Sequence, residues 1–172
     1  EFHVRNSPED VFATALFSKK IKNKSMVDLE GPKGVFVLKE LSKKSMVFIA
    51  WDIGFAPIRS LVEHAFSLEM DNPVYFYWAY PSDEQAPYLD NHAKSWQAGM
   101  NDYTYSPIAC EFDRSSKNEC HKVAKQIFNA LDLEVVKRSD VYLCAPAEVL
   151  IYLGELLLEN GLDESQLIAS PI

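Results

Sequence analysis

Trp51, Asp52, Ile53 and Gly54 stand between an apolar, strand-like run (Met46 to Ala50) and a helical repeat that begins at Pro57. Strand, short glycine-bearing turn, then helix is the layout in which helix amides cradle a phosphate, because the unpaired N–H groups and the dipole of a helix N-terminus favour an anion. Gly54 permits a tight turn or a close backbone approach. Asp52 works against a phosphate, since a carboxylate beside a diphosphate repels it. Its simpler reading is a turn or capping residue that engages the same amides. Trp51 reads as a ring that stacks on a ligand or as one that fills the cleft, and filling is the more expected. Cys144 ends another apolar segment just ahead of Ala145 and Pro146. At the head of a helix its thiol could face a bound ring with thiolate character, although a strand-end cysteine is more often a small buried hydrophobe. The sequence holds no G-x-S-x-G elbow and no histidine at an expected strand end, which argues against a hydrolase.

These residues need a scaffold, and the pattern supplies one. From Met46 on, strand-like segments ("MVFIA", "PVYFYWAY", "YTYSPIACEF", "DVYLCAP") alternate with helix-like ones ("PIRSLVEHAFSLE", "APYLDNHAKSWQAG", "KNECHKVAKQIFNAL", "AEVLIYLGELLLENG"). Pro57 suits a first helical turn, Ile58, Leu61, Val62, Ala65 and Phe66 make an inner face, and Gly161 marks a helix stop. Such alternation predicts an α/β fold with a parallel sheet wound on both faces and ligands at the C-terminal strand ends. "AWDIGFAP", "YWAYPSDE" and "CAPAE" would then share one edge. Residues 1–40 read as β-rich instead: "EFHVR", "SMVDLEGP" and "GVFVL" as strands around a Gly-Pro turn, and "PEDVFATALFSKKI" as a helix behind Glu9 and Asp10. They look like the end of a β-barrel. The polar connection "LKELSKKS" is the expected boundary, which gives domains at 1–40 and 45–172.

Composition bounds the function. The 172 residues are 48% hydrophobic and 24% charged, enough for a core without staples. A net charge of −8 and the lack of any long basic run argue against nucleic acid and anionic membranes as partners, and no apolar run approaches the ~20 residues of a membrane span. Three cysteines and four scattered histidines lack metal-ligand spacing, so no metal is expected and a reducing cytoplasm is the expected compartment. The first residue is Glu1, which reads as a start set by processing or by excision from a longer chain.

Taken together, "LEGPKGVFVL", "FIAWDIGFAPIRSLVEHA", "VYFYWAYPSDEQAPYLD" and "VYLCAPAEVLIYLGELLLENGLDESQL" resemble the ferredoxin-NADP reductase superfamily, nearest to the NAD(P)H-dependent flavin oxidoreductase modules of oxygenase reductases. The resemblance implies the C-terminal part of a flavin-binding β-barrel followed by an NAD(P)-binding-like domain. It also implies hydride transfer from nicotinamide to flavin and onward electron transfer to an iron-sulfur or oxygenase partner. Site residues carried over are Gly54, Phe55, Ala56 and Pro57 in the turn, Tyr77 and Tyr80 as ring contacts, Cys144 with Ala145 and Pro146 at the nicotinamide end, and His3 and Arg5 near the flavin. Cys144 is the catalytic candidate. NAD(P)H is the cofactor implied for this chain, and FAD only together with an upstream segment.

The motifs are degenerate. Relatives of this kind carry Gly-Gly-Thr-Gly where Trp51-Asp52-Ile53-Gly54 stands; Trp78 replaces a glycine, Tyr80 an arginine, and Cys-Gly-Pro has become Cys144-Ala145-Pro146. The end, "LIASPI", lacks the aromatic residue that many relatives place on the flavin, and Glu9 and Asp10 add charge where the FAD diphosphate would lie. The positions that usually choose between NADH and NADPH are themselves changed. The alternative reading is a non-catalytic interaction or assembly module whose nucleotide cleft is filled by Trp51, Trp78 and Tyr80.

Overall fold

Met46–Trp51 carries no charged side chain and is buried along its whole length as strand β1. A run of apolar residues buried on both faces is what a central parallel strand requires. β2 (Val74–Pro81) and β4 (Asp140–Ala145) pair with its two sides in parallel, and β3 (Tyr103–Cys110) and β5 (Leu167–Pro171) complete a five-stranded sheet of order β3-β2-β1-β4-β5. The computed structural model describes residues 1–7, 9–31, 34–112 and 119–172. The chain divides into two compact units, Glu1–Val35 and Phe36–Ile172.

In the second unit the helices cover both faces of the sheet, as the alternation predicts. α2 (Phe55–Ser67) places Ile58, Leu61, Val62 and Ala65 on one face, the spacing of a helix with a single apolar stripe. α3 (Asp90–Ser95) continues into the 3-10 turn Trp96–Ala98 and adds Ala93 and Trp96 to the same layer. On the opposite face α4 (Glu119–Ala130) contributes Val123 and Ile127, and α6 (Ala147–Glu159) contributes Val149, Leu153 and Leu157; the short α5 (Leu133–Val136) precedes β4. Each fully buried side chain of this size stabilises the fold by about 1.5–3 kcal/mol relative to exposure. Gly161, at φ 97, sits just beyond α6, where a left-handed residue ends a helix.

Two features differ from the sequence expectation. β5 went unforeseen because "LIASP" has no alternation; its register beside β4, Val141↔Leu167 through Ala145↔Pro171, makes it a strand. Gln166 anchors its start by donating from Nε2 to the Ser139 carbonyl at 2.5 Å. Conversely, the strands expected in 1–40 are absent: among the described residues none precedes Met46. A strand exists through its ladder, and these segments find no neighbour to pair with. Phe2, Met26 and Val35 are 77%, 99% and 83% exposed.

The expected helix of the first unit does form, as α1 (Val11–Phe17), with Asp10 Oδ1 accepting from the Ala13 N–H at 2.9 Å. Pro32 of the expected Gly-Pro turn, and Lys117 and Asn118 at the expected start of α4, lie outside the described residues. Phe36 packs edge-on against Tyr142, and Lys39 binds that segment to the sheet through Nζ on Asp140 Oδ1 at 3.0 Å and its N–H on Tyr142 Oη at 2.9 Å.

Candidate functional site

The winding reverses at β1, with β2 and β3 on one side and β4 and β5 on the other. The C-terminal ends of β1 and β4 thus border the crevice in which doubly wound sheets bind ligands. After Trp51 the chain turns through the 3-10 segment Asp52–Gly54 directly into α2, thirteen residues long, whose first-turn amides face that rim.

Asp52 holds the turn in an unusual conformation, with φ at 47. The left-handed region costs most side chains about 1–2 kcal/mol, and aspartate is among the few that visit it routinely. Its carbonyl accepts from the Phe55 N–H, closing the turn, and from Trp78 Nε1–H at 2.9 Å. Gly54 lies flush against the end of β4: a Cβ there would stand 2.3 Å from the Cys144 carbonyl oxygen. The backbone therefore meets two demands of a phosphate turn, a left-handed residue and then a glycine tight against the neighbouring strand, although a glycine fills only the second. That Asp52 takes the left-handed place was missed from sequence, where its tolerance of that region was the available signal.

Trp51 and Trp78, which the alternative reading places in one filled cleft, lie on different faces of the sheet. Ala50 pairs with Trp78 and Trp51 with Ala79, so the two indoles project from opposite faces of the sheet. Trp51 packs on the α4/α6 side against Phe112, with ring centroids 5.4 Å apart, and Trp78 on the α2/α3 side, stacked on Phe55 at 3.9 Å. Both are core residues.

The remaining candidates scatter. Gly54 and Cys144 are brought together, with Ala145 buried and Pro146 half-buried at the N-cap of α6. Ala56 and Pro57 are half-buried in the first turn of α2. Phe55 is fully buried in the Trp78 stack, and Tyr77 lies on the other face, where its Oη accepts from the Asp132 N–H at 3.4 Å. Tyr80 is half-buried beside Ala109 near the end of β2. His3 and Arg5 belong to the first unit, where His3 Nε2 stands 3.4 Å from Glu1 Oε1. Cys144 is wholly buried, and that burial pushes its thiol up to about 12 from an ordinary 9.0. The environment thus favours thiol over the thiolate expected at a helix head. Burial likewise pushes Cys110 up to about 12, and burial with the Glu148 carboxyl pushes Cys120 up to about 11.

Two cavities of about 560 and 440 Å³ lie at the other edge of the sheet, lined by residues such as Met70 and Asn72 that precede β2. They are remote from the turn. Among the described residues no group of three His, Cys, Asp or Glu side chains could hold a metal ion, and no helix is long and apolar enough to cross a membrane.

No family model matches the chain. It is 25% identical over 166 residues to the CDP-6-deoxy-L-threo-D-glycero-4-hexulose-3-dehydrase reductase of Yersinia pestis, which covers 96% of this chain and 49% of that one. It is 28% identical over 172 residues to the reductase component of propane 2-monooxygenase from Rhodococcus jostii, covering 97% and 45%. Among solved structures, the ferredoxin reductase in carbazole 1,9a-dioxygenase superposes with a TM-score of 0.73 at 17% identity, over 99% of this chain and 50% of that one. The parallel sheet with its reversal at β1 is thus a ferredoxin reductase-like fold, and in sequence the chain is similar to reductase components and flavin reductases. It spans about half the length of these curated relatives.

Proposed function

We propose that this chain is the nucleotide-binding half of a cytoplasmic NAD(P)H:flavin electron-transfer reductase that serves an iron-sulfur or oxygenase partner. The observation that carries the reading is the β1 turn, with left-handed Asp52, Gly54 against the Cys144 carbonyl, and a full-length helix directly behind. This backbone fits a dinucleotide diphosphate; the Asp52 carboxylate lowers the affinity it can reach. When bound, the nicotinamide supplies a hydride. This chain's share is to hold the diphosphate at the α2 N-terminus and to present the ring near the end of β4, where Cys144 would act as an uncharged thiol that packs and positions.

FAD is a different case. The helix assigned to its diphosphate by resemblance, α1, already has its N-terminus capped by the Asp10 carboxylate, and its first three residues, Val11, Phe12 and Ala13, offer neither a hydroxyl nor a glycine. These residues do not fit the group by themselves, so the flavin would be held with the help of a further segment. The same observation favours the second reading, a module kept for interaction with its partner rather than for chemistry.

Titration of the chain with NADH and NADPH, read by tryptophan fluorescence, separates the two. Saturable quenching with a midpoint at about 0.1–1 mM supports the reductase reading, and a flat response through several millimolar supports the interaction module.

A further inference from the structure

Trp78 does more than fill the core: its indole also shapes the turn after β1, an inference that rests on the nucleotide reading above. Ala50 pairs with Trp78 of β2 on one side and with Cys144 of β4 on the other, so the turn that follows is flanked by one residue of each neighbouring strand. On the β4 side Gly54 lies flush against the Cys144 carbonyl. On the β2 side the wholly buried indole of Trp78 donates from Nε1–H to the Asp52 carbonyl at 2.9 Å. That carbonyl also accepts from the Phe55 N–H, so both of its lone pairs are engaged. The Trp78 ring lies nearly parallel to Phe55, the first residue of α2, at 3.9 Å and 10°, and Tyr88 stands edge-on to the two rings at 5.3 and 5.9 Å. One side chain thus ties down the turn and the head of the helix together.

Asp52, at φ 47, occupies a region that glycine enters without steric cost and aspartate does not. The indole bond compensates. A trans peptide sets its C=O and N–H on opposite sides, so holding the Asp52 carbonyl against Trp78 turns the Ile53 N–H of the same plane away from the indole, where it can donate to an anion at the α2 N-terminus. Without the indole N–H a buried carbonyl would lack one donor and the turn would be free to relax.

We propose that Trp78 is a positioning residue of the nucleotide turn, holding Asp52 in its left-handed conformation through the indole N–H. Trp78→Phe keeps a ring against Phe55 and removes the donor. Tyr103→Phe is the control: it deletes another buried hydrogen bond on the same face of the sheet, from Oη to the Ala93 carbonyl at 3.0 Å, at the opposite end of the strands from the turn. Both are made in the natural chain and in Asp52→Gly, a background that accepts the left-handed turn by itself and keeps the test open if Trp78→Phe alone does not fold. Calorimetric titration with NADH should show affinity about tenfold weaker in Trp78→Phe, less than about threefold weaker when the same change is made in Asp52→Gly, and unchanged in Tyr103→Phe. Exchange of the Phe55 amide hydrogen should quicken at least about tenfold in Trp78→Phe and stay level in Tyr103→Phe. Equal NADH affinity in Trp78→Phe and the natural chain, an equal loss in both backgrounds or in Tyr103→Phe, or an unmoved Phe55 exchange rate overturns the positioning role and leaves the nucleotide reading standing. NADH bound by neither the natural chain nor Asp52→Gly overturns both.

Discussion

At the scale of single residues, burial decides what the chemistry-bearing groups are. Cys144 and Cys110 are fully buried thiols pushed up to about 12 from 9.0, and Tyr77 and Tyr142 are raised above their ordinary 10.0 chiefly by burial. A raised folded-state value means that the folded protein holds the proton more tightly than the unfolded chain. The resulting stability is fully present below about pH 9 and is lost as pH climbs toward 12. Urea midpoints measured at pH 7, 9 and 10.5 should therefore be level over the first interval and fall over the second; an unchanged midpoint at pH 10.5 would show that these groups are more open than the structure has them. Which role Cys144 takes was left open by sequence, because a strand-end cysteine ahead of a helix reads equally as a site thiol or as core. Only the packing of Gly54 and α2 against the end of β4 settles its burial.

At the scale of elements, the β1 turn shows what sequence can and cannot convey. The order strand, turn, helix was legible from apolar runs and from Pro57, and the α/β alternation from Met46 to the end of α6 was legible for the same reason. The left-handed Asp52 was not, since propensity says only that aspartate tolerates that region. Nor were the opposite directions of Trp51 and Trp78, which follow from a register between β1 and β2 that no local pattern encodes. The strands expected in 1–40 are missing among the described residues for a related reason: alternation marks a segment able to pair but does not provide the neighbour. Gly54 allows the most direct trial of the turn's packing. Gly54→Ala places a methyl 2.3 Å from backbone oxygen, which neither side can avoid without moving α2 or β4. A loss of about 2–4 kcal/mol in chemical denaturation is expected, and a loss below about 0.5 kcal/mol would mean that the turn does not sit flush on β4.

At the scale of the molecule, the five-stranded sheet supplies a rigid rim on which the turn, the β2 loop and the head of α6 all stand. The fold is reductase-like and the relatives are reductases, and on the proposed reading the altered turn residues would set how strongly a nucleotide binds. The account's central claim is that the turn keeps the shape of a diphosphate site and that one carboxylate weakens it. Asp52→Gly keeps a residue that accepts φ near 47 and removes the charge. Isothermal titration of NADH into the natural chain and into Asp52→Gly measures that claim directly. The account predicts saturable binding by both, tightened about tenfold in the variant; a folded variant that binds no more NADH than the natural chain would contradict it.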